Sequence, residues 1–95
     1  CIDSGKPIRD IITIDLPETI NAIKWHAELA DKIYDQVAPV GHDAMSIIIR
    51  EPVGVVGCVL PWNFPMLMLA WKIGPALACG NSIIVKPAEH TSLTS

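Results

Sequence analysis

The sequence predicts an α/β fold, in which helices cover a sheet of parallel strands. Residues 53–60 are almost continuously apolar, as in parallel strands that are buried on both faces. Residues 66–79 are apolar on nearly every side except at Lys72, which indicates a buried helix, and Ser82–Val85 follows as a second strand. The order strand, helix, strand therefore predicts one βαβ unit with a right-handed crossover.

Two further elements are expected before this unit. Between Pro17 and Val37, apolar residues recur at alternating steps of three and four, which predicts an amphipathic helix. After a turn at residues 38–43, the β-branched run from Met45 to Arg50 predicts a strand that Pro52 ends.

The composition excludes several classes of function. The 95 residues carry a net charge of −3 without a cluster of Lys or Arg, which argues against a nucleic-acid partner. The hydrophobic content is 51%, yet no stretch approaches the roughly 18 apolar residues of a membrane span. Three widely spaced cysteines indicate neither a disulfide framework nor a metal site, so a reducing, cytoplasmic location is expected.

The high apolar content also indicates a fragment of a larger protein. The chain opens on Cys1-Ile2-Asp3 as if inside a helix, and it has no initiator Met. Neighbouring parts of a longer chain would then cover the excess apolar surface. The isolated chain is accordingly expected to fold poorly or to associate.

Asn63 is the first candidate for chemistry. It lies between Pro61 and Pro65, which fix their own φ and bias the residues before them toward extended conformations. An amide held on a stiff turn can donate to an oxyanion. From spacing alone, the same asparagine could equally cap the following helix.

Two motifs together resemble the aldehyde dehydrogenase superfamily. They are Pro61-Trp62-Asn63-Phe64-Pro65 and Lys86-Pro87-Ala88-Glu89, and the similarity runs from Arg50 to Glu89 and extends less specifically to the whole chain. Among subfamilies, the chain most resembles enzymes that oxidise γ-glutamyl-aminobutyraldehyde and related aminoaldehydes. The resemblance implies the front part of a Rossmann-like NAD-binding domain: a helical lead-in at 1–38, an oligomerisation strand at 39–52 and the first βαβ unit at 53–95.

The resemblance also implies roles for individual residues. Asn63 would be the catalytic oxyanion donor and would also border the cofactor. Lys86 and Glu89 would bind the adenosine ribose, and the carboxylate would favour NAD over NADP. Without the family, these two residues would be an ordinary solvated pair. The remaining residues expected along the cofactor channel are Leu60, Pro61 and Trp62, although Trp62 could equally be a core aromatic.

The implied parent enzyme oxidises an aldehyde to a carboxylic acid through a cysteine thiohemiacetal, as a homodimer or homotetramer. None of the three cysteines matches the family's nucleophile, and Cys58 and Cys79 are expected to be buried. Two alternatives stay open. One is a non-catalytic oligomerisation or interaction module, and the other is an unrelated nucleotide-binding βαβ protein, which would need a glycine-rich turn after its first strand.

Overall fold

The computed structural model describes all 95 residues. The chain begins with three helical pieces, α1 (Ile8–Asp10), a π-helix (Ile11–Asp15) and α2 (Leu16–Leu29). Asp10 and Asp15, at the junctions, keep right-handed helical dihedrals, so the three pieces form one continuous helical segment. Then follow β1 (Gln36–Ala38), β2 (Ser46–Ile48), β3 (Val55–Val59), α3 (Pro65–Ala78), β4 (Ser82–Lys86) and a 3₁₀ helix (Glu89–Thr91).

The helix predicted from Pro17 to Val37 is wrong at both ends. The helical segment starts nine residues earlier, at Ile8, and it ends at Leu29. At its C-terminus the ammonium of Lys32 donates to the carbonyl of Glu28, a favourable arrangement for a helix end. The end of the predicted helix forms part of β1 instead. Pairing with β2 decides the conformation there, although the apolar spacing also suits a helix.

β1 and β2 form an antiparallel hairpin in which Val37 pairs with Ile47. Asp35 accepts a hydrogen bond from the backbone N–H of Arg50 at 2.9 Å, and the Arg50 guanidinium donates to the carbonyl of Tyr34. The strand predicted at Met45–Arg50 is thus confirmed, with shorter bounds. The segment boundary predicted between residues 38 and 39 lies at the end of β1 and would separate that strand from its partner β2.

The predicted βαβ unit is confirmed. β3 and β4 are parallel, with Val55 opposite Ser82 and Val59 opposite Lys86. α3 ends in a Schellman motif, in which Gly80 has a φ of 77° and the N–H of Asn81 donates to the Ala76 carbonyl at 3.0 Å. The side chain of Asn81 continues this connection, because its Oδ1 accepts from the Gly54 N–H at 3.0 Å.

The chain does not enclose a core of its own. Eight of the 95 residues are buried, and the radius of gyration is 18.2 Å, against about 12 Å for a compact domain of this length. In β3, Cys58 is buried while Val55 and Val59 are 66% and 62% exposed. The prediction that this strand is covered on both faces therefore fails within this chain, since α3 packs on one face only.

Asp3 connects the two ends of the chain. Its carboxylate accepts hydrogen bonds from the N–H of Thr94 at 2.9 Å, from the Thr94 hydroxyl at 2.8 Å and from the N–H of Leu93 at 3.3 Å. The backbone hydrogen bond from Thr94 is the main reason that the pKa of Asp3 is below its ordinary value. None of the helices is both long enough and apolar enough to span a bilayer.

Candidate functional site

The structure brings the two sequence motifs together at one edge of the parallel sheet. Val59 and Lys86 are the last residues of β3 and β4 and pair with each other. Beyond this pair, the N–H of Leu60 donates to the carbonyl of Lys86 at 3.0 Å. Pro61 therefore starts its turn beside the end of β4, at the carboxyl edge where open parallel sheets bind ligands.

Asn63 is exposed on this turn, with its amide available to a ligand. The N-cap of α3 is Phe64, with φ −140° and ψ 66°, and no side chain caps that helix. The alternative that Asn63 caps α3 is therefore wrong in this structure. Pro65 occupies the first helical turn, where its missing N–H has no cost.

Lys86 and Glu89 are both exposed and no salt bridge joins them. The ammonium of Lys86 donates only to the carbonyl of Pro87, at 3.1 Å, and Glu89 begins the 3₁₀ helix. One cationic donor and one anionic acceptor are thus free at the sheet edge. Their proposed contact with a ribose stays a prediction.

The other predicted cofactor residues differ in exposure. Leu60 is 4% exposed, so that it can offer a ligand only its backbone, whereas Pro61 is exposed. Trp62 is 62% exposed, so it is not a core aromatic of this chain. Beside the 3₁₀ helix, Thr91 is buried and its hydroxyl has no hydrogen-bond partner.

One feature near Asn63 was missed from the sequence. The ammonium of Lys6 lies 3.2 Å from the ring centroid of Phe64 and forms a salt bridge of 2.7 Å with Asp15. The sequence does not predict this contact, because the spacing of Lys6 and Asp15 fits no binding motif and their meeting with Phe64 depends on tertiary packing.

A large open groove lies away from these residues. It has a volume of about 770 Å³ and is lined by Val53, Arg50 and Asn81, among others, at the amino ends of β3 and β4. Cys79 also borders it and is exposed, so the expectation that Cys79 is buried is wrong, whereas Cys58 is buried as expected. No group of three or more His, Cys, Asp or Glu side chains is placed to hold a metal ion.

The sequence profile of the aldehyde dehydrogenase family matches residues 1–95. The chain belongs to this family. The prediction from the two motifs is thereby confirmed, and the alternative of an unrelated nucleotide-binding βαβ protein is wrong.

Individual members of the aldehyde dehydrogenase family are similar in sequence or structure to nearly the whole of this chain. An aminoacetaldehyde dehydrogenase of Pseudomonas aeruginosa is 69% identical over 94 residues, which are 99% of this chain and 19% of that enzyme. A γ-glutamyl-γ-aminobutyraldehyde dehydrogenase of Burkholderia cenocepacia has a solved structure that is 53% identical, with a TM-score of 0.93 over 97% of this chain and 19% of its own. An indole-3-acetaldehyde dehydrogenase solved with NAD⁺ is 50% identical, with the same TM-score and the same two coverages.

These matches confirm the α/β fold class and support the predicted likeness to aminoaldehyde dehydrogenases. The chain spans about a fifth of the length of the relatives that it matches. The family's complete site therefore extends over a longer protein than these 95 residues.

Proposed function

We propose that the chain is the front part of the NAD-binding domain of an enzyme that oxidises an aldehyde to a carboxylic acid. Membership of the aldehyde dehydrogenase family supports the reaction class. One structural observation carries the assignment of the site. The amide of Asn63 is uncommitted at the carboxyl edge of the sheet, beside the Leu60–Lys86 hydrogen bond.

In the proposed reaction, a cysteine thiolate from another part of the enzyme attacks the aldehyde carbon, and a C–S bond forms. Negative charge then develops on the former carbonyl oxygen. The side-chain N–H of Asn63 donates to that oxygen, and because the turn holds it in place, it stabilises the charge better than mobile water does. Bound NAD would supply the acceptor for the hydride that leaves the substrate carbon, and water would then hydrolyse the resulting thioester and free the cysteine.

We propose that residues at the end of β4 bind one end of this cofactor. Lys86 can donate to the ribose hydroxyls and Glu89 can accept from them, since neither is engaged with the other. A 2′-phosphate in the same position would meet the Glu89 carboxylate as a like charge, so we propose NAD as the preferred cofactor over NADP. The exposed indole of Trp62 and the turn at Pro61 would border the rest of the channel.

The proposed substrate class is aminoaldehydes. The supporting observation is that two similar proteins are an aminoacetaldehyde dehydrogenase and a γ-glutamyl-γ-aminobutyraldehyde dehydrogenase. We further propose that the enzyme is a cytoplasmic homodimer or homotetramer. The outer edge of β2 supports self-association, because β1 covers only the other edge.

Replacing Asn63 by Ala in the full-length enzyme tests the proposal. We expect single-turnover hydride transfer, followed by NADH absorbance, to slow by about 10²–10³-fold, the usual loss for one oxyanion donor. The Kd for NAD should stay within about twofold, because the amide acts on the substrate oxygen. Asn21→Ala, at an exposed asparagine of α2, is the matched control. Equal hydride-transfer rates in Asn63→Ala and the control would refute the assignment.

The non-catalytic interaction module is a second candidate, supported by the exposed isoleucines of β2, Ile47 and Ile48. It predicts a parent protein without the catalytic cysteine and without dehydrogenase activity. Purified full-length protein that reduces NAD in the presence of an aminoaldehyde would eliminate this candidate.

A further inference from the structure

The side chain of Lys6 joins two segments that are distant in the sequence. Its ammonium donates to both carboxylate oxygens of Asp15, at 2.9 and 2.7 Å. The same ammonium lies 3.2 Å from the ring centroid of Phe64, well within the roughly 6 Å range of a cation–π interaction. Lys6 therefore links the N-terminal helical segment to the residue that follows Asn63.

The protein partly shields this ion pair from water. Asp15 is the only buried residue between Ile8 and Leu29, and it ends the π-helix, a rare distortion that is frequent at functional sites. The side chains of Lys6 and Asp15 are 21% and 11% exposed, whereas those of the Lys24–Glu28 pair are 72% and 62% exposed. Such shielding keeps the Lys6 ammonium at one position, since leaving Asp15 would strand a shielded charge.

Phe64 transmits this restraint to Asn63. It is the N-cap of α3, and Pro65 after it disfavours helical dihedrals at Phe64. With its ring held under the Lys6 ammonium, Phe64 has little freedom to rotate about its backbone. The adjoining peptide of Asn63 then has a defined direction even though the Asn63 side chain itself is exposed.

We propose that Lys6, held by Asp15, is a positioning residue that fixes Phe64 and thereby directs the Asn63 amide toward the substrate oxygen. The inference rests on the proposed oxyanion role of Asn63. Catalytic donors act through accurate placement, and a displacement of about 1 Å can cost on the order of 10²-fold in rate. Lys6 itself touches neither substrate nor cofactor in this scheme.

The test uses Lys6→Met in the full-length enzyme, because Met keeps the length of the side chain and removes its charge. We expect single-turnover hydride transfer to slow by about tenfold or more, less than in Asn63→Ala, with the Kd for NAD within about twofold. Lys6→Arg, which can keep both the ion pair and the ring contact, should recover most of the rate. Lys24→Met removes an exposed ion pair and should leave the rate unchanged.

The double variant Lys6→Met with Asn63→Ala separates positioning from a general structural effect. If Lys6 acts through Asn63, Lys6→Met should cause little further loss once the Asn63 amide is absent. Equal losses in both backgrounds would overturn the proposal. If Lys6→Met does not yield folded enzyme, Phe64→Leu keeps the Lys6–Asp15 pair and answers the same question, with the same expected results.

Two failures are distinguishable. If Asn63→Ala slows hydride transfer but neither Lys6→Met nor Phe64→Leu does, the positioning role is refuted and the oxyanion role stands. If Asn63→Ala itself has no effect, the oxyanion role is refuted, and the positioning role with it.

Discussion

Gly74 of α3 lies directly against His26 of α2, and replacing it by Ala tests this packing. A Cβ at Gly74 would lie 2.8 Å from Nδ1 and 3.0 Å from Cγ of His26, closer than real side chains approach. His26 cannot move away freely, because its Nδ1–H donates to the Ala22 carbonyl at 2.7 Å and its ring meets Trp25 edge-on. Either the hydrogen bond or the helix spacing must therefore give way.

The expected magnitude depends on which of the two gives way. If the helix spacing changes, overpacking of this kind costs about 1–3 kcal/mol; if the His26 ring moves instead, loss of its hydrogen bond to Ala22 costs about 1 kcal/mol. Pro75 also disfavours helical dihedrals at a preceding residue that carries a Cβ. Against these, Ala is favoured over Gly in a helix by about 1 kcal/mol. Gly74→Ala should thus destabilise the enzyme by about 1–3 kcal/mol in all.

The assay is thermal melting of four full-length proteins: wild type, Gly74→Ala, His26→Ala and the double variant. His26→Ala removes the His26 contact and leaves the effect of Pro75, which roughly offsets the gain in helix propensity. In that background, Gly74→Ala should lower the melting temperature by less than half as much as in wild type. An equal decrease in both backgrounds would refute the reasoning from the His26 contact.

Four other predictions concern the cofactor, the oligomer, the chain ends and the isolated chain. Glu89→Gln should narrow the preference for NAD, mainly by improving kcat/KM with NADP. Each tenfold change in kcat/KM corresponds to about 1.4 kcal/mol. If the ratio of kcat/KM for NAD to that for NADP is the same in both proteins, Glu89 does not face the ribose. Ile48→Lys, on the exposed part of β2, should dissociate the proposed oligomer, and an unchanged mass by light scattering would contradict this. Because the pKa of Asp3 is lowered, its stabilising contact with Thr94 should be fully present above the ordinary aspartate pKa of about 3.9 and lost as the pH falls through the lower folded value. Asp3→Asn should therefore speed hydrogen exchange of the Thr94 amide at pH 7. Equal exchange rates in the wild type and the variant would count against the contact. The isolated 95-residue chain, with eight buried residues, should show no sharp monomeric melting transition; a cooperative one would refute the view that it lacks its own core.

The central βαβ unit could be predicted because its signals are local. The continuous apolar run of β3, the all-round apolar α3 and the strand-like run Ser82–Val85 each specify one element. Their order then leaves one favoured parallel arrangement. The structure has the same three elements within one or two residues of the predicted bounds.

The predictions that were wrong concern residues whose long-range contacts cannot be inferred from the sequence pattern. Val37 fits the apolar spacing of α2, yet it pairs with Ile47 across the hairpin. Burial of Cys79 was inferred from the apolar helix that it follows, but it borders an open groove. In both cases the deciding neighbour is distant in sequence.

At the candidate site, too, residues within a motif could be predicted and residues that depend on distant contacts could not. Asn63, Lys86 and Glu89 lie in motifs that identify them, and the parallel register of β3 and β4 brings the motifs to one edge. Lys6 and Asp15 belong to no such motif, and the phase of the π-helix decides which side chain of that segment is buried. No periodicity analysis that assumes 3.6 residues per turn could have selected Asp15.

The contact between Asp3 and Thr94 has a consequence for the order of folding. The two residues are 91 positions apart, so the contact closes nearly the whole chain into one loop. Closing so long a loop has a large entropy cost, which a few solvent-exposed hydrogen bonds cannot offset until the intervening elements have shortened the effective distance. The contact should therefore form after the rate-limiting step, so that removing Asp3 accelerates unfolding while the folding rate stays nearly the same.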